Sequence, residues 1–314
     1  MKKTEGTMRK KKGQTDGQKP KNLINHLADW INWRRFLTAA VMIFFLVGIL
    51  FPFYWMMSSS FKSFAEIGGR EPVYVPSQLR WDAYKELFDP QNVYFRNFGQ
   101  SIINSIKVSV PTALITVLFS TLGAYAITRL HFKGKNLFLN GILLIYLFPG
   151  VLLIMPLFAM LSQLGGVLGF EVQDNLGVLT ITYLAQTLPV ALYMLTNYFK
   201  TIPNEIEQAG LIDGCSHSQV LTKITLPLSL PAIVSVFIYS FMIAWNEFLY
   251  AFIFLNDRTQ FTIPIAINTI FNDPSPRPNV VMAASTIMTI PIMILYLALQ
   301  KYLEKGLVAG GVKG

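Results

Sequence analysis

Six stretches of the chain are nearly free of charge and long enough to cross a bilayer: approximately residues 36–57, 106–128, 137–162, 177–199, 231–255 and 280–303. Roughly 20 apolar residues span about 30 Å of hydrocarbon as a helix, and each stretch reaches that length. Lipid offers no partner to a free backbone N–H or C=O, so such segments fold as helices. The expected fold class is therefore an all-α integral membrane protein with six transmembrane helices. Well inside these spans the one clearly ionisable side chain is Glu247, with Lys107 at the edge of the second. Proline recurs at Pro111, Pro149, Pro156, Pro189 and Pro291, and each removes a helical hydrogen bond. In lipid such breaks persist only where neighbouring helices or water satisfy the freed carbonyls, which predicts a bundle around a cavity.

The polar segments set the domain boundaries. Residues 1–35 form a basic tail without apolar periodicity, expected to be largely disordered. The six-helix membrane domain covers 36–303, and 304–314 form a glycine-rich C-terminal tail. After span one comes an outer loop of about 45 residues with a short amphipathic helix near Trp81 to Phe88, either a packed cap or a surface for an external partner.

Between spans four and five, residues 201–230 contain "QAGLIDGCSHSQVLTKITLPLSLP". Pro203 suits a first helical turn, and Glu205 and Glu207 place negative charge at its N-terminus. Gly214, following Asp213, can take the left-handed conformation that ends a helix. Ser216 and Gln219 have capping-box spacing, which starts a second helix bearing Val220, Leu221 and Ile224; Pro227 closes it and Pro231 opens span five. The result is a helix-turn-helix elbow, too polar for lipid and too well capped for a slack linker.

Composition agrees with a membrane setting, since 53% of residues are hydrophobic and 14% charged, against about a quarter charged in soluble domains. The net charge of +9 sorts by loop rather than forming a nucleic-acid surface: 18 Lys/Arg fall in the N-terminal tail and the loops on its side, and seven in the alternate loops. The positive-inside rule then places both termini and the elbow in the cytoplasm. Span one is too long for a signal-peptide core and lies behind a 35-residue tail, which favours a retained helix. The lone Cys215 allows no internal disulfide, and His26, His131 and His217 are scattered, so no metal site is expected.

The elbow resembles the cytoplasmic loop of binding-protein-dependent ABC importer permeases, whose pattern is E-A-A, three residues, G, nine residues, I-x-L-P. Gln208, Ala209 and Gly210 stand at the E-A-A positions, Gly214 at the glycine, and Ile224, Leu226 and Pro227 complete the pattern with its spacing intact. Gln208 replaces the acidic residue and Gly210 the second alanine; Glu207, one position earlier, is a candidate to supply the missing charge. The stretches "GAYAITRLHFKGK", "LFPGVLLIMPLF", "WNEFLYA" and "QKYLEKGLVAGGVKG" resemble the carbohydrate branch, of maltose type, over residues 36–314.

That resemblance implies a type I importer permease in a bacterial inner membrane, paired with a second, MalF-like permease. It also implies two ATPase subunits seated on the elbow and an extracytoplasmic binding protein that delivers a sugar. Glu207, Gln208, Ala209, Gly210, Asp213, Gly214, Ile224, Leu226 and Pro227 would then form the coupling site. The chain has no phosphate-binding G-x-x-x-x-G-K-[ST]: Gly134-Lys135 is followed by Asn136, and Arg129 holds the first glycine position. No cofactor is expected on it, ATP and Mg being used by the partner ATPase. For the pathway, Glu247 with Trp245 and Asn246 leads as an intramembrane carboxylate beside an aromatic ring and an amide, although a helix-capping role fits Glu247 equally. Gln186, Tyr183 and Tyr193 follow. The glycines after 306 suit insertion between ATPase subunits, or a frayed end. An ion-coupled secondary transporter and a permease for glycerol phosphate are the alternatives; the scarcity of intramembrane ionisable groups and the lack of an internal repeat argue against the former.

Overall fold

A computed structural model of the chain describes residues 20–92, 95, 97–135, 137, 141, 142, 144, 149–272 and 277–311, with side chains between residues 33 and 303. Residues divide into two compact units, Met1–Trp55 and Met56–Gly314. Helix α1 runs Pro20–Ser60. Its start lies well inside the expected disordered tail, the rest of which falls outside the described residues. Pro20 is a favourable helix opener, and Leu23, Ile24, Leu27, Trp30 and Ile31 follow at helical spacing, a short periodicity that directly succeeds the basic run. Within the first unit, Met42, Ile43, Phe44, Phe45 and Leu46 are all exposed. Five consecutive exposed apolar residues cover every side of a helix, the pattern of a lipid-facing span.

The second unit holds short α2 (Phe64–Ile67) and α3 (Asp82–Leu87), then α4 (Phe98–Arg129), α5 (Gly150–Leu168) and α6 (Leu176–Phe199). The elbow contains α7 (Asn204–Ile212), α8 (His217–Val220), a π-helical turn (Leu221–Thr225) and α9 (Leu226–Leu228). After it come α10 (Leu230–Asn246), α11 (Leu249–Phe254), α12 (Ile263–Phe271) and α13 (Pro278–Gly311). Among the described residues, five helices are long and apolar enough to cross a membrane, and a sixth span arises if α10 and the elbow helix bent 78° from it are taken together.

Three differences from the sequence reading stand out. The third span, expected over 137–162, continues as helix to Leu168, from Gly150 after Pro149, and closes at Gly169 in the left-handed conformation; much of 137–148 lies outside the described residues. The fifth, expected as one helix to 255, breaks at Glu247 into α10 and α11. The expected C-terminal tail continues α13 as helix to Gly311, and residues 312–314 lie outside the described residues.

At the centre α4 packs along α6 and α10, and α13 covers α10. The facing side of α4 carries buried Ser101, Ser105, Ser109, Thr112, Thr116 and Ser120, small residues that let helices approach closely where lipid supplies no hydrophobic drive. Thr116 and Thr187 join α4 to α6 through a hydroxyl pair at 2.7 Å. A Cβ on Gly123 would lie 2.8 Å from Leu192 Cδ1, so the two helices also close tightly near their elbow ends.

The opposite end is a packed cap. Ala83 and Leu87 of α3 bury against Phe98, Ile270, Val280 and Ala284. Asn104 Nδ2 donates to the carbonyls of Thr259 and Phe261, and Ser105 Oγ accepts from the Ile263 amide, fixing the segment before α12 onto α4. Helix α12 itself, with buried Ile263, Ile265, Ala266 and Ile270, was not anticipated.

Candidate functional site

The elbow is stiff for local reasons. Pro203 caps α7 rather than opening it, and Glu205 and Glu207 sit in the first turn. Gly214 takes φ +86°, which a side chain would strain, and the Cys215 amide returns to the Gly210 carbonyl at 3.0 Å. Ser216 and Gln219 form the reciprocal capping box: the Ser216 amide donates to Gln219 Oε1 at 2.8 Å, and the Gln219 amide to Ser216 Oγ at 3.4 Å. Pro227 does not close the second helix; a π turn precedes it and α9 contains it.

Gly210 explains one departure from the family pattern. A Cβ there would fall 2.5 Å from Ile224 Cδ1 and 3.6 Å from Val220 Cγ2, so glycine lets α7 and the second arm interlock. Around that contact Gln208, Ala209, Leu211, Ile212, Asp213 and Gly214 are exposed, and Pro227 is exposed as well. Ile212, at 86% exposure, is a bare apolar side chain on a polar element.

Glu207 differs from its neighbours. It is buried, and its carboxylate points inward instead of offering charge at the surface. Arg129, the last residue of α4, donates from Nε to Glu207 Oε2 at 2.8 Å, and Thr225 Oγ1 donates to Oε1 at 3.0 Å. Arg129 Nη2 also donates to the carbonyls of Phe199 and Ile202 at 3.0 and 3.1 Å, satisfying the end of α6. Sequence reasoning used Arg129 only for topology. An arginine ending an apolar span, paired with two acids in a later first turn, was the available signal.

The intramembrane candidates separate into distinct environments. Glu247 occupies the break between α10 and α11, where its carboxylate accepts the amides of Tyr250 and Ala251 at 3.0 and 3.1 Å, the capping geometry weighed above. Trp245 is fully buried, stacks on Phe241 with ring centroids 5.5 Å apart, and donates to the Met288 carbonyl at 3.1 Å. Tyr183 is buried near Glu247, with a hydroxyl outside hydrogen-bond geometry to any described residue. Asn246 is exposed and donates back to the Met242 carbonyl. Gln186 lines a cavity of about 470 Å³ between α5, α6, α10 and α11, alongside Tyr239, Tyr250, Leu153, Pro156 and Ile243. Its Nε2 is buried and unpartnered among the described residues. Tyr193, two turns further along the same side of α6, is 47% exposed.

Residues 117–308 match the family model described as binding-protein-dependent transport system inner membrane component. The chain is 39% identical over 270 residues to the inner membrane ABC transporter permease protein YcjP of Escherichia coli K12, covering 86% of this chain and 93% of the relative. It is 37% identical over 266 residues to the trehalose/maltose transport system permease protein MalG of Thermococcus litoralis, covering 84% and 92% respectively. In fold it is similar to a chain of a bacterial ABC transporter involved in the import of the acidic polysaccharide alginate, with TM-score 0.72, 22% identity and coverage of 86% and 96%.

Proposed function

The chain belongs to the family of binding-protein-dependent transport system inner membrane components, and from that premise we propose that it forms half of the pathway of an ATP-driven sugar importer. The observation that carries this reading is the capped elbow, whose exposed Gln208, Ala209, Leu211, Ile212 and Asp213 offer a surface outside the apolar spans while its base is bonded into the bundle. Two ATPase subunits, using ATP and Mg, grip that surface and its counterpart on a second, related permease. Their closure tilts the spans and switches the cavity between the two sides of the membrane. Charge asymmetry between the loops supports a cytoplasmic position for the elbow and both termini.

A carbohydrate cargo is supported by the trehalose/maltose transport relative and by the chemistry of side chains on α6 and α10. Gln186 offers an amide to hydroxyls, and Tyr193 and Tyr239 offer aromatic faces to the apolar side of a sugar ring. Trp245, Tyr183 and Glu247 hold the helices that carry these side chains, and Asn246 is exposed at the end of α10. An extracytoplasmic binding protein delivers the solute at the cap end. The glycine-rich tail reaches the ATPase pair, so deleting residues 307–314 lowers coupled hydrolysis without reducing membrane insertion.

The test is to purify the tagged chain with its complex, identify a Walker-motif ATPase in it, and measure uptake of radiolabelled maltose and trehalose into vesicles. ATP-dependent uptake requiring a binding protein is expected. Uptake driven by an ion gradient without ATP would replace this reading with a secondary transporter.

A further inference from the structure

We propose that Arg129, Glu207 and Thr225 form a transmission joint that fixes the elbow to the ends of α4 and α6, so that movement of α7 is passed to those spans rather than absorbed. This rests on the reading that α7 is the element an ATPase displaces. It also moves Glu207 from the docking surface, where the family pattern suggested it, to a positioning role.

Three features carry the inference. First, both oxygens of Glu207 are committed, Oε2 to Arg129 and Oε1 to Thr225, and the residue is 5% exposed, so little of its charge is available to another protein. Second, one planar guanidinium joins three elements: it ends α4, grips the carboxylate of α7, and caps the carbonyls of Phe199, the last residue of α6, and of Ile202 just beyond it. A rigid fork cannot follow α7 if that helix slides without breaking a charge-assisted bond, and a broken one leaves a buried carboxylate unpaired. Third, the π turn has a local consequence. The Leu226 amide bonds back to the Leu221 carbonyl, and the widened turn directs Thr225 Oγ1 at Glu207. The second arm of the elbow therefore shares the anchor of the first.

The experiment uses the assembled complex of this permease, its partner permease and the ATPase subunits. A Cys215→Ser, Asn197→Cys background supplies one thiol on the exposed side of α6, and its maleimide labelling rate is measured before and after trapping with ATP and vanadate. Glu207→Gln keeps shape and removes charge; Arg129→Lys keeps charge and removes the fork. Both are expected to retain the ATPase subunits and ATP hydrolysis while the vanadate-induced change in labelling falls roughly tenfold, within the range of ordinary coupling energies. Thr225→Val, the mildest change, is expected to lower it about threefold, as for loss of one hydrogen bond.

If Glu207→Gln alone released the ATPase, Glu207 would be a docking residue and the joint would be wrong. If complex yield fell but surviving complexes responded as wild type, the cluster would be structural only. A wild-type response in both Arg129→Lys and Thr225→Val would likewise overturn the proposal. A wild-type chain retaining no ATPase would overturn the importer reading itself, and the joint with it.

Discussion

Two ion pairs among the described residues tie the ends of the second unit, and they are built differently. At the elbow end Arg129 and Glu207 have side chains 11% and 7% exposed, with further bonds to two carbonyls and a hydroxyl. At the cap end Arg277 and Glu86 pair with side chains 44% and 25% exposed, and Arg277 also lies over the Phe95 ring. The cap is held mainly by apolar burial of α3 against α12 and α13, so its ion pair is an accessory. The elbow has little apolar core of its own beyond Val220 and the Gly210–Ile224 contact, and so depends on a buried polar network. Polar networks have directional geometry and either hold or break, which suits an element that passes on displacement.

The sharpest way to break this contrast is to remove one partner of each pair. Glu207→Ala leaves Arg129 buried and unpaired and is expected to destabilise the protein by about 3–5 kcal/mol, read as a lowered Tm in detergent. A loss as small as that at the cap would erase the distinction. Gly210→Val forces a side chain into the space of Ile224 and is expected to cost about 1–3 kcal/mol, partly restored by Ile224→Ala in the double variant. Gly214→Ala strains a residue at φ +86° and is expected to cost roughly 1–2 kcal/mol. Glu86→Gln at the exposed pair is expected to cost less than about 1 kcal/mol, with an effect that fades in high salt.

The cap also offers a pH prediction. Glu66 accepts the amides of Ser63 and Ser77, which hold its carboxyl down at about 2 from an ordinary 4.5. A depressed folded pKa stabilises the folded form above the unfolded value, and that contribution disappears as pH falls from about 4.5 through about 2. The carboxyl carbon of Glu66 is therefore expected to titrate near 2 by NMR. In Ser63→Ala, which removes the hydroxyl that also bonds it, the midpoint is expected to move upward.

Much of the elbow was legible because its signals are local. The left-handed Gly214 and the Ser216–Gln219 box depend on residues within one turn, and both appear where the spacing put them. The short helix at Asp82–Leu87 was legible for the same reason. Glu205 and Glu207 share a first turn, and the sequence singled out Glu207 only as a surface charge beside the E-A-A positions. What separates them is an arginine 78 positions earlier, a contact that no local pattern encodes. The break at Glu247 was hidden because "WNEFLYA" contains neither proline nor glycine, and its carboxylate supplies the cap. Helix α12 lies in a segment too short to read as a span, and its register depends on Asn104 and Ser105 of α4.

The most direct test of the rigid link between elbow and bundle is the distance between spin labels on Ile212 of α7 and Asn197 of α6 in the assembled complex, measured by pulsed electron resonance with and without ATP and vanadate. The account predicts one narrow distribution that does not shift on trapping, because both labels ride on the body clamped by Arg129. A distribution that shifts or broadens on trapping would mean that the elbow swings on its own, and the claim would be lost.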